Sequence, residues 1–418
     1  MIKGPIALGT IRTSFALGLR LLIQAGTLLL VARMLGPQNF GLFAGVTSLA
    51  VLLGTLSTFG TQFVLLGEMS RDPSQRDNVL SYAIPTTLLC GLLLLVLYQA
   101  LVRWILPSGA IPWQALLAIG LTEVLLQPIF GLMATEHHAL GRVARAQLMR
   151  NSPLALRLLT ACCIFFFSLS PALSIYAGGY LAASVLVLLL GRCCSSNEWP
   201  RWRLWRLPSF TELHYAFGYA ATNASRAGPA ELDKTLAVKL LSVDAAGVYA
   251  AGARVVAAVV LPITAMTLSA LPRLFRDVKK PSGSKRLLRS MYWVALLYSL
   301  ALSSVLWLSA PMLETLFGQT YQGMCEVIRW LCLAVPGNAL RLVGGNVLMA
   351  MGRPWFRVGF EVVGLSMLIV AGFSLVPSMG SKGMILAVVC AEWCMAAIAG
   401  AIIIKTNESC RCCERGAD

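Results

Sequence analysis

Runs of about 18 to 25 apolar residues recur from one end of this chain to the other, each long enough to cross a bilayer core of roughly 30 Å. Nothing else in the sequence constrains the fold as much. Backbone N–H and C=O groups in hydrocarbon have no water to bond, so only helices and closed barrels can cross it. The runs lack the two-residue alternation of barrel strands, and are therefore helices. No stretch of 60 or so residues, on the order of the smallest stable domain, lacks such a run. Composition agrees: 57% hydrophobic and 12% charged residues, with a mean hydropathy of +0.74, lie far outside the soluble range. The chain reads as an all-α integral membrane protein.

Windowed hydropathy gives about twelve transmembrane helices. The first six are expected at roughly 9–32, 41–66, 79–102, 113–135, 153–170 and 172–191. The second six are expected at roughly 213–241, 246–271, 288–311, 324–350, 357–376 and 383–404. Lys3 precedes an apolar run with no small-residue cleavage site after it, so the first span is expected to be retained.

A formal charge of +16 suggests nucleic acid in a soluble protein, but its placement here gives another reading. Arg142, Arg145 and Arg150 crowd one connection; Arg192, Arg201, Arg203 and Arg206 crowd another. Arg273, Arg276, Lys279, Lys280, Lys285, Arg286 and Arg289 fill a third, and Arg353 and Arg357 a fourth. All are even-numbered connections; the odd-numbered ones hold little beyond Arg33, Arg103 and Lys382. Basic loops face the cytoplasm, so both termini are expected inside, with no nucleic-acid partner. WPRWRLWR (Trp199–Arg206) reads as an interfacial anchor on membrane lipids with anionic headgroups.

Twelve cysteines do not form a disulfide framework, because all but Cys325 lie in spans or in segments expected to face a reducing cytosol, and Cys325, expected on the outer side, has no partner there. The tail SCRCCERGAD lacks C-x-x-C spacing and a nearby His, so no metal is expected, and no cofactor motif is present. His137 and His138, without acidic or Cys partners, read as solvated loop residues.

An internal repeat divides the chain. RMLGPQNFGLFA (Arg33–Ala44) joins the first two spans, and KLLSVDAAGVYA (Lys239–Ala250) joins the seventh and eighth. Ungapped, Arg33 meets Lys239, Gly41 meets Gly247, Phe43 meets Tyr249, and the same register sets Arg20 over Arg226. Six spans return the chain to its starting side, so the halves run parallel, the arrangement of transporters whose lobes rock about a midplane site. The expected division is 1–205, a six-helix lobe with its basic connection, and 206–418, a second lobe with the Cys-rich tail.

LGPQNFGLF, LDKTLAVKLLSVDAAGVYAAGAR and LPRLF resemble segments of Wzx-type polysaccharide flippases of the multidrug/oligosaccharidyl-lipid/polysaccharide exporter superfamily. The resemblance implies a MATE-like fold of two six-helix lobes in a bacterial inner membrane. It implies movement of undecaprenyl-diphosphate-linked oligosaccharide from the cytoplasmic to the periplasmic leaflet, for O-antigen, exopolysaccharide or lipopolysaccharide biosynthesis. A polysaccharide polymerase and a chain-length regulator would be its partners. Val243 departs from the pattern, standing where the first half has Pro37.

Buried ionisable groups carry the site expectations. A charge at a span's centre costs roughly 2.5–3.5 kcal/mol on insertion scales, so such residues face the bundle interior. On the first span Arg20, Gln24 and Thr27 share one face. On the seventh, SRAGPAELDKTLAVKLL places Glu231, Asp233 and Lys234 beyond Arg226. An arginine pair, Arg20 with Arg226, suits a diphosphate, because guanidinium meets phosphate oxygens bidentately and keeps its proton. Gln24, Arg254, Arg341 and Lys234 are further candidate binding residues. Asp233, Glu231 and Glu123 are candidates for gating or ion coupling, with Asp233 a candidate partner of Arg226; bundle-stabilising ion pairs are the competing role. Glu361 and Glu392 are the other acids within spans, read either as ion-coupling groups or as residues near span ends that reach water.

Rival readings are a multidrug cation antiporter of the same superfamily, a polymerase or ligase enzyme of polysaccharide assembly, and a structural membrane subunit. Cations outnumber acids among the candidates, which favours a phosphate-bearing substrate. The outer connections are short and hold no His, which disfavours the enzyme. No G-x-x-x-x-G-K-[ST] loop is present for a nucleotide-driven pump.

Overall fold

In a computed structural model the backbone is described for residues 5–107, 109–167, 173–193, 199–277 and 283–415. Side chains at 5–14, 17, 264–277, 283–287 and 406–415 lie outside the described residues. These include Thr13, most of the basic segment after the eighth span, and the cysteines of the tail.

Among the described residues the expected spans fall mainly on helix, interrupted by turns at 58–60 and 332–333 and ending at a turn at 167, and there is no strand. The helices are α1 (Pro5–Ser57), α2 (Thr61–Arg71), α3 (Arg76–Ile105), α4 (Trp113–Gly120), α5 (Gln127–Ala139), α6 (Val143–Phe166) and α7 (Leu173–Cys193). They continue with α8 (Phe210–Leu240), α9 (Val243–Asp277), α10 (Gly283–Phe317), α11 (Met324–Leu331), α12 (Ala334–Ala350), α13 (Pro354–Met379) and α14 (Ser381–Arg415). Among the described residues, eight helices are long and apolar enough to cross a membrane, or nine if the bent pair α11–α12 is one span. α6 and α8 fall outside that number, since α6 carries Arg145, Arg150 and Arg157 and α8 carries the five charges between Arg226 and Lys239.

Helix α1 holds two expected spans, separated at Gly36, whose φ of 68° and ψ of 170° suit only glycine. Pro37 follows and restarts the helix from its first turn. The repeat-related turn is built differently. Leu240 ends α8, and Ser242 Oγ accepts from Ala245 N at 3.4 Å to begin α9. The α4–α5 rod is also interrupted: Leu121–Leu126 is a π-helical turn, and it carries Glu123.

Sequence dictates which face of each helix turns outward. On α3, Leu89, Leu92, Leu93 and Val96 are exposed at helical spacing, while Gly91, Leu95 and Tyr98 turn inward. The exposed face is the lipid face of a membrane helix. Lipid is as apolar as leucine, so helices associate through close packing at small residues. A Cβ on Gly91 would meet Leu125 and Val124, and one on Gly364 would meet Met395.

Two compact units result, Met1–Ala227 and Gly228–Asp418. The division falls inside α8, later than the 205/206 position expected from sequence. Its cause is visible in the first unit: Ala216 of α8 belongs to the core of Val64, Leu65, Leu80 and Leu132, and Asn223 Nδ2 donates to Thr55 O at 3.4 Å.

Candidate functional site

The buried charges gather into closed clusters. In the first unit, Arg157 Nη2 lies 2.9 Å from Glu123 Oε1. Tyr180 OH donates to the same carboxylate, and Arg157 also donates to Ser184 Oγ at 3.1 Å. The guanidinium carbon sits 3.8 Å from the centre of the Tyr180 ring. Glu123 is thus neutralised on site; the π-helical turn that presents it is pinned by Ser57 Oγ, donating to Val124 O at 2.6 Å.

In the second unit, Arg341 Nε lies 2.7 Å from Glu392 Oε2 and Nη1 lies 3.6 Å from Glu361 Oε1. Arg357 Nε closes the group at 3.1 Å from the same Glu361 oxygen. Two guanidinium groups and two carboxylates balance, and Asn338 Nδ2 donates to Glu392 at 3.1 Å. Glu361 and Glu392 are therefore buried and paired with arginine.

On α8 in the same unit, Lys234 Nζ lies 3.0 Å from Asp233 Oδ1 and 3.7 Å from Glu231 Oε2, and bonds Ala230 O. The other Asp233 oxygen accepts from Tyr249 OH at 2.9 Å. Asp233 and Lys234 are buried, Glu231 half-buried. Arg254, half-buried on α9, is near enough for its charge to act on Lys234. At the helix ends of the first unit, Arg76 and Glu136 form another buried pair at 2.6 Å.

A different arrangement surrounds Arg20. α1 packs along α6, and Asn151 Nδ2 donates to Ala16 O at 2.7 Å, one turn before Arg20. That bond brings the neighbouring Arg150 within electrostatic reach of Arg20. Both are half-buried. Among the described residues neither forms an ion pair, and Arg20 Nε is buried without a hydrogen-bond partner. Gln24, one turn on, is half-buried. Thr27 turns its hydroxyl back to Ile23 O at 2.7 Å. Arg226 is exposed on α8 and donates to Asn223 Oδ1 at 3.4 Å.

The sequence-expected residues thus fall into two kinds. Glu123, Arg341, Asp233 and Lys234 sit in buried neutral clusters, with Glu231 at the edge of one. Arg20, Gln24 and Arg226 present polar groups outside those clusters. Arg150 was missed as a site residue, being read only as topology charge. Its signal lies in position: it sits about two helical turns inside α6, beyond the loop.

The eight described cysteines are unpaired. Among the described residues no group of three or more His, Cys, Asp or Glu is placed to hold a metal ion.

The fold is that of the MATE-type transporters of the MOP superfamily. An inward-facing multidrug resistance MATE transporter superposes with a TM-score of 0.75 at 16% identity, covering 93% of this chain and 96% of that one. An outward-facing one gives 0.67 at 15% identity, covering 96% of each chain. A MOP superfamily transporter from Pyrococcus furiosus, described as having a binding pocket of reversed polarity, gives 0.68 at 15% identity and 96% of each chain. Among curated proteins none matches the sequence. The family described as polysaccharide biosynthesis protein matches residues 6–278, well over half of the chain, and the chain belongs to that family.

Proposed function

We propose that the chain is a flippase for lipid-linked oligosaccharide. It would move undecaprenyl-diphosphate-linked sugar units from the cytoplasmic to the periplasmic leaflet of a bacterial inner membrane by alternating access. The arginines Arg20 and Arg150 carry this reading: they stand on packed helices, near enough for their charges to act on each other, both half-buried and neither in an ion pair among the described residues. Like charges repel there, and a diphosphate relieves the repulsion while accepting bidentate hydrogen bonds from each. Arg150 lies just before the expected fifth span, on the side the loop charge bias makes cytoplasmic, and Arg20 stands near the middle of the first, so a diphosphate collected at the cytoplasmic face would pass from one to the other. Gln24 adds a donor one turn further along α1, and Arg226, the repeat-related arginine, stands on α8 at the end of the same unit.

A multidrug cation antiporter would need carboxylates open to its substrate. The buried carboxylates Glu123, Glu136, Asp233, Glu361 and Glu392 each have a basic partner. That disfavours the cation reading. A polymerase or ligase is disfavoured by the family and by a fold shared with transporters.

The test is a strain carrying Arg20→Ala with Arg150→Ala. The protein should accumulate normally in the membrane, while lipid-linked repeat units build up on the cytoplasmic leaflet and surface polymer is lost. Lysine at both positions should recover only part of the export, since a point charge does not replace a planar fork. Full export in the double-alanine strain overturns the reading. A deletion strain that assembles no lipid-linked sugar would favour an enzyme instead.

A further inference from the structure

A cavity of about 400 Å³ opens at the junction of α10 and α11 in the second unit, lined by Trp307, Glu314, Cys325, Glu326, Arg329 and Trp330. Its volume lies within the roughly 300–1,000 Å³ of small-molecule sites. Its walls are fixed by hydrogen bonds. Trp307 and Glu314 are two turns apart on α10 and share a face. The Glu314 carboxylate accepts from Cys325 N at 2.6 Å and from Gly323 N at 3.4 Å. It thereby holds the first turn of α11, which Gly323 enters at a φ of 88°. Glu326 is tied to Lys382 at 3.0 Å.

Two open indoles and a short-handed guanidinium make the chemistry. Trp307 is 39% exposed and Trp330 47% exposed, and both border the cavity. Indole at a membrane edge ordinarily serves as an anchor. These two border one polar hollow. Arg329 lies 5.8 Å from the Trp307 ring, and its Nε is buried without a hydrogen-bond partner. The acids are engaged, Glu314 by backbone N–H groups and Glu326 by an exposed contact with Lys382, and with Arg329 and Lys382 beside them the charges of the hollow balance. An aromatic face, an unsatisfied donor and carboxylate oxygens with spare lone pairs suit a neutral polyhydroxylated ring. Its C–H face stacks on indole and its hydroxyls bond the rim.

We propose that this cavity binds a neutral sugar residue of the translocated oligosaccharide. The α10–α11 connection is one of the Lys/Arg-poor ones that the charge bias puts outside, so the sugar would be held on the exit side. This rests on the carbohydrate-carrier reading but not on the arginine pair.

The experiment uses the full chain in nanodiscs. The probe is the lipid-free repeat-unit oligosaccharide, released by mild acid from the producing cell's lipid-linked intermediate. Saturable quenching of tryptophan fluorescence, and saturation transfer from protein to sugar C–H protons, are expected. Trp330→Ala should weaken binding at least tenfold; Trp330→Phe, which keeps a ring, should retain most of it. The Arg20→Ala/Arg150→Ala chain should bind the probe normally even when translocation is lost. No saturable binding by the unmodified chain overturns the proposal, whether or not it translocates. So does unchanged affinity in Trp330→Ala, or displacement of the probe by benzyltrimethylammonium, which would mark a cation cage.

Discussion

The two units solve one problem with opposite signs. In the first, the fourth, fifth and sixth spans supply Glu123, Arg157 and Tyr180. In the second, the tenth, eleventh and twelfth supply Arg341, Glu361 with Arg357, and Glu392. The same three positions of each half thus build a buried polar knot, but the acid of the fourth span is answered by a base in the tenth. Both knots are neutral, each arginine facing a carboxylate, although Arg157 Nε and Arg341 Nη1 are buried without a hydrogen-bond partner. Balanced in this way, they join helices that apolar contact alone would not hold together in lipid. The contrast gives the unbalanced Arg20–Arg150 pair its meaning.

The largest effect should come from breaking the simpler knot. Glu123→Ala strands Arg157, which cannot lose its proton. A stranded buried charge costs about 3–5 kcal/mol, so most of the protein should fail to accumulate. Arg157→Ala should be milder, because Glu123 can take up a proton and keep its bond to Tyr180. Glu392→Ala should fall between them, since Arg341 keeps Glu361 at 3.6 Å. Thermal unfolding followed by size-exclusion fluorescence ranks the three. Equal losses for Glu123→Ala and Arg157→Ala would break the account of these knots as charge-balanced locks.

A second contrast lies along the repeat. The ungapped register that sets Phe43 against Tyr249 also sets Thr27 against Asp233 and Leu28 against Lys234. Where the second unit buries an ion pair capped by a tyrosine hydroxyl, the first has a self-bonded threonine and an apolar neighbour. Phe43 there packs edge-on to Tyr176 and Tyr180 at 5.2 and 5.7 Å. Asp233→Thr alone should cost about 1–3 kcal/mol by leaving Lys234 short of a partner. Lysine can shed its proton when buried, so the penalty stays below that of a stranded arginine. Adding Lys234→Leu and Tyr249→Phe transplants the first unit's solution and should recover most of the loss. A triple variant no more stable than Asp233→Thr would show that the ion pair is not what the first unit's residues replace.

How much of this was legible follows from the range of each signal. Spans are local sums of hydropathy, and the described parts of the expected stretches are mainly helical. The break at Gly36-Pro37 is likewise local chemistry. The helical face Arg20–Gln24–Thr27 was readable from periodicity, but Thr27's hydroxyl turns inward, which a wheel cannot show. Partners were not readable: Arg341 and Glu392 are 51 residues apart and Arg76 and Glu136 are 60 apart. Nothing in a single sequence joins such pairs. The π-helical turn at Glu123 left no propensity signal, since LTEVLL would suit an ordinary helix. Arg150 was hidden by its neighbours, Arg142 and Arg145, both exposed on the loop side.

The smallest effect sharpens the comparison from outside the membrane. Arg206 and Glu212, in and just after the strap that leads into α8, form a two-pronged pair at 2.6 and 2.8 Å. The strap is fixed on the first unit, with Arg206 N donating to Ser81 O at 3.0 Å. The Arg206 hydrogen bonds, then those from Ser209, hold the Glu212 carboxyl down at about 2, from an ordinary 4.5. A depressed acid stabilises the folded state fully above its unfolded value, and that contribution disappears as pH falls through about 2. The pair is part-exposed, so solvent screening limits it to about 1 kcal/mol or less. Glu212→Gln should therefore lower the unfolding temperature only slightly at pH 7, and the difference should fade below about pH 3. Salt separates the two kinds of ion pair more cleanly. At 1 M, where the screening length is about 3 Å, the Glu212→Gln difference should vanish while the cost of Glu392→Ala remains. A salt-insensitive Glu212 effect would mean that the strap is buried in the membrane-bound protein, and the contrast between exposed and enclosed pairs would not hold there.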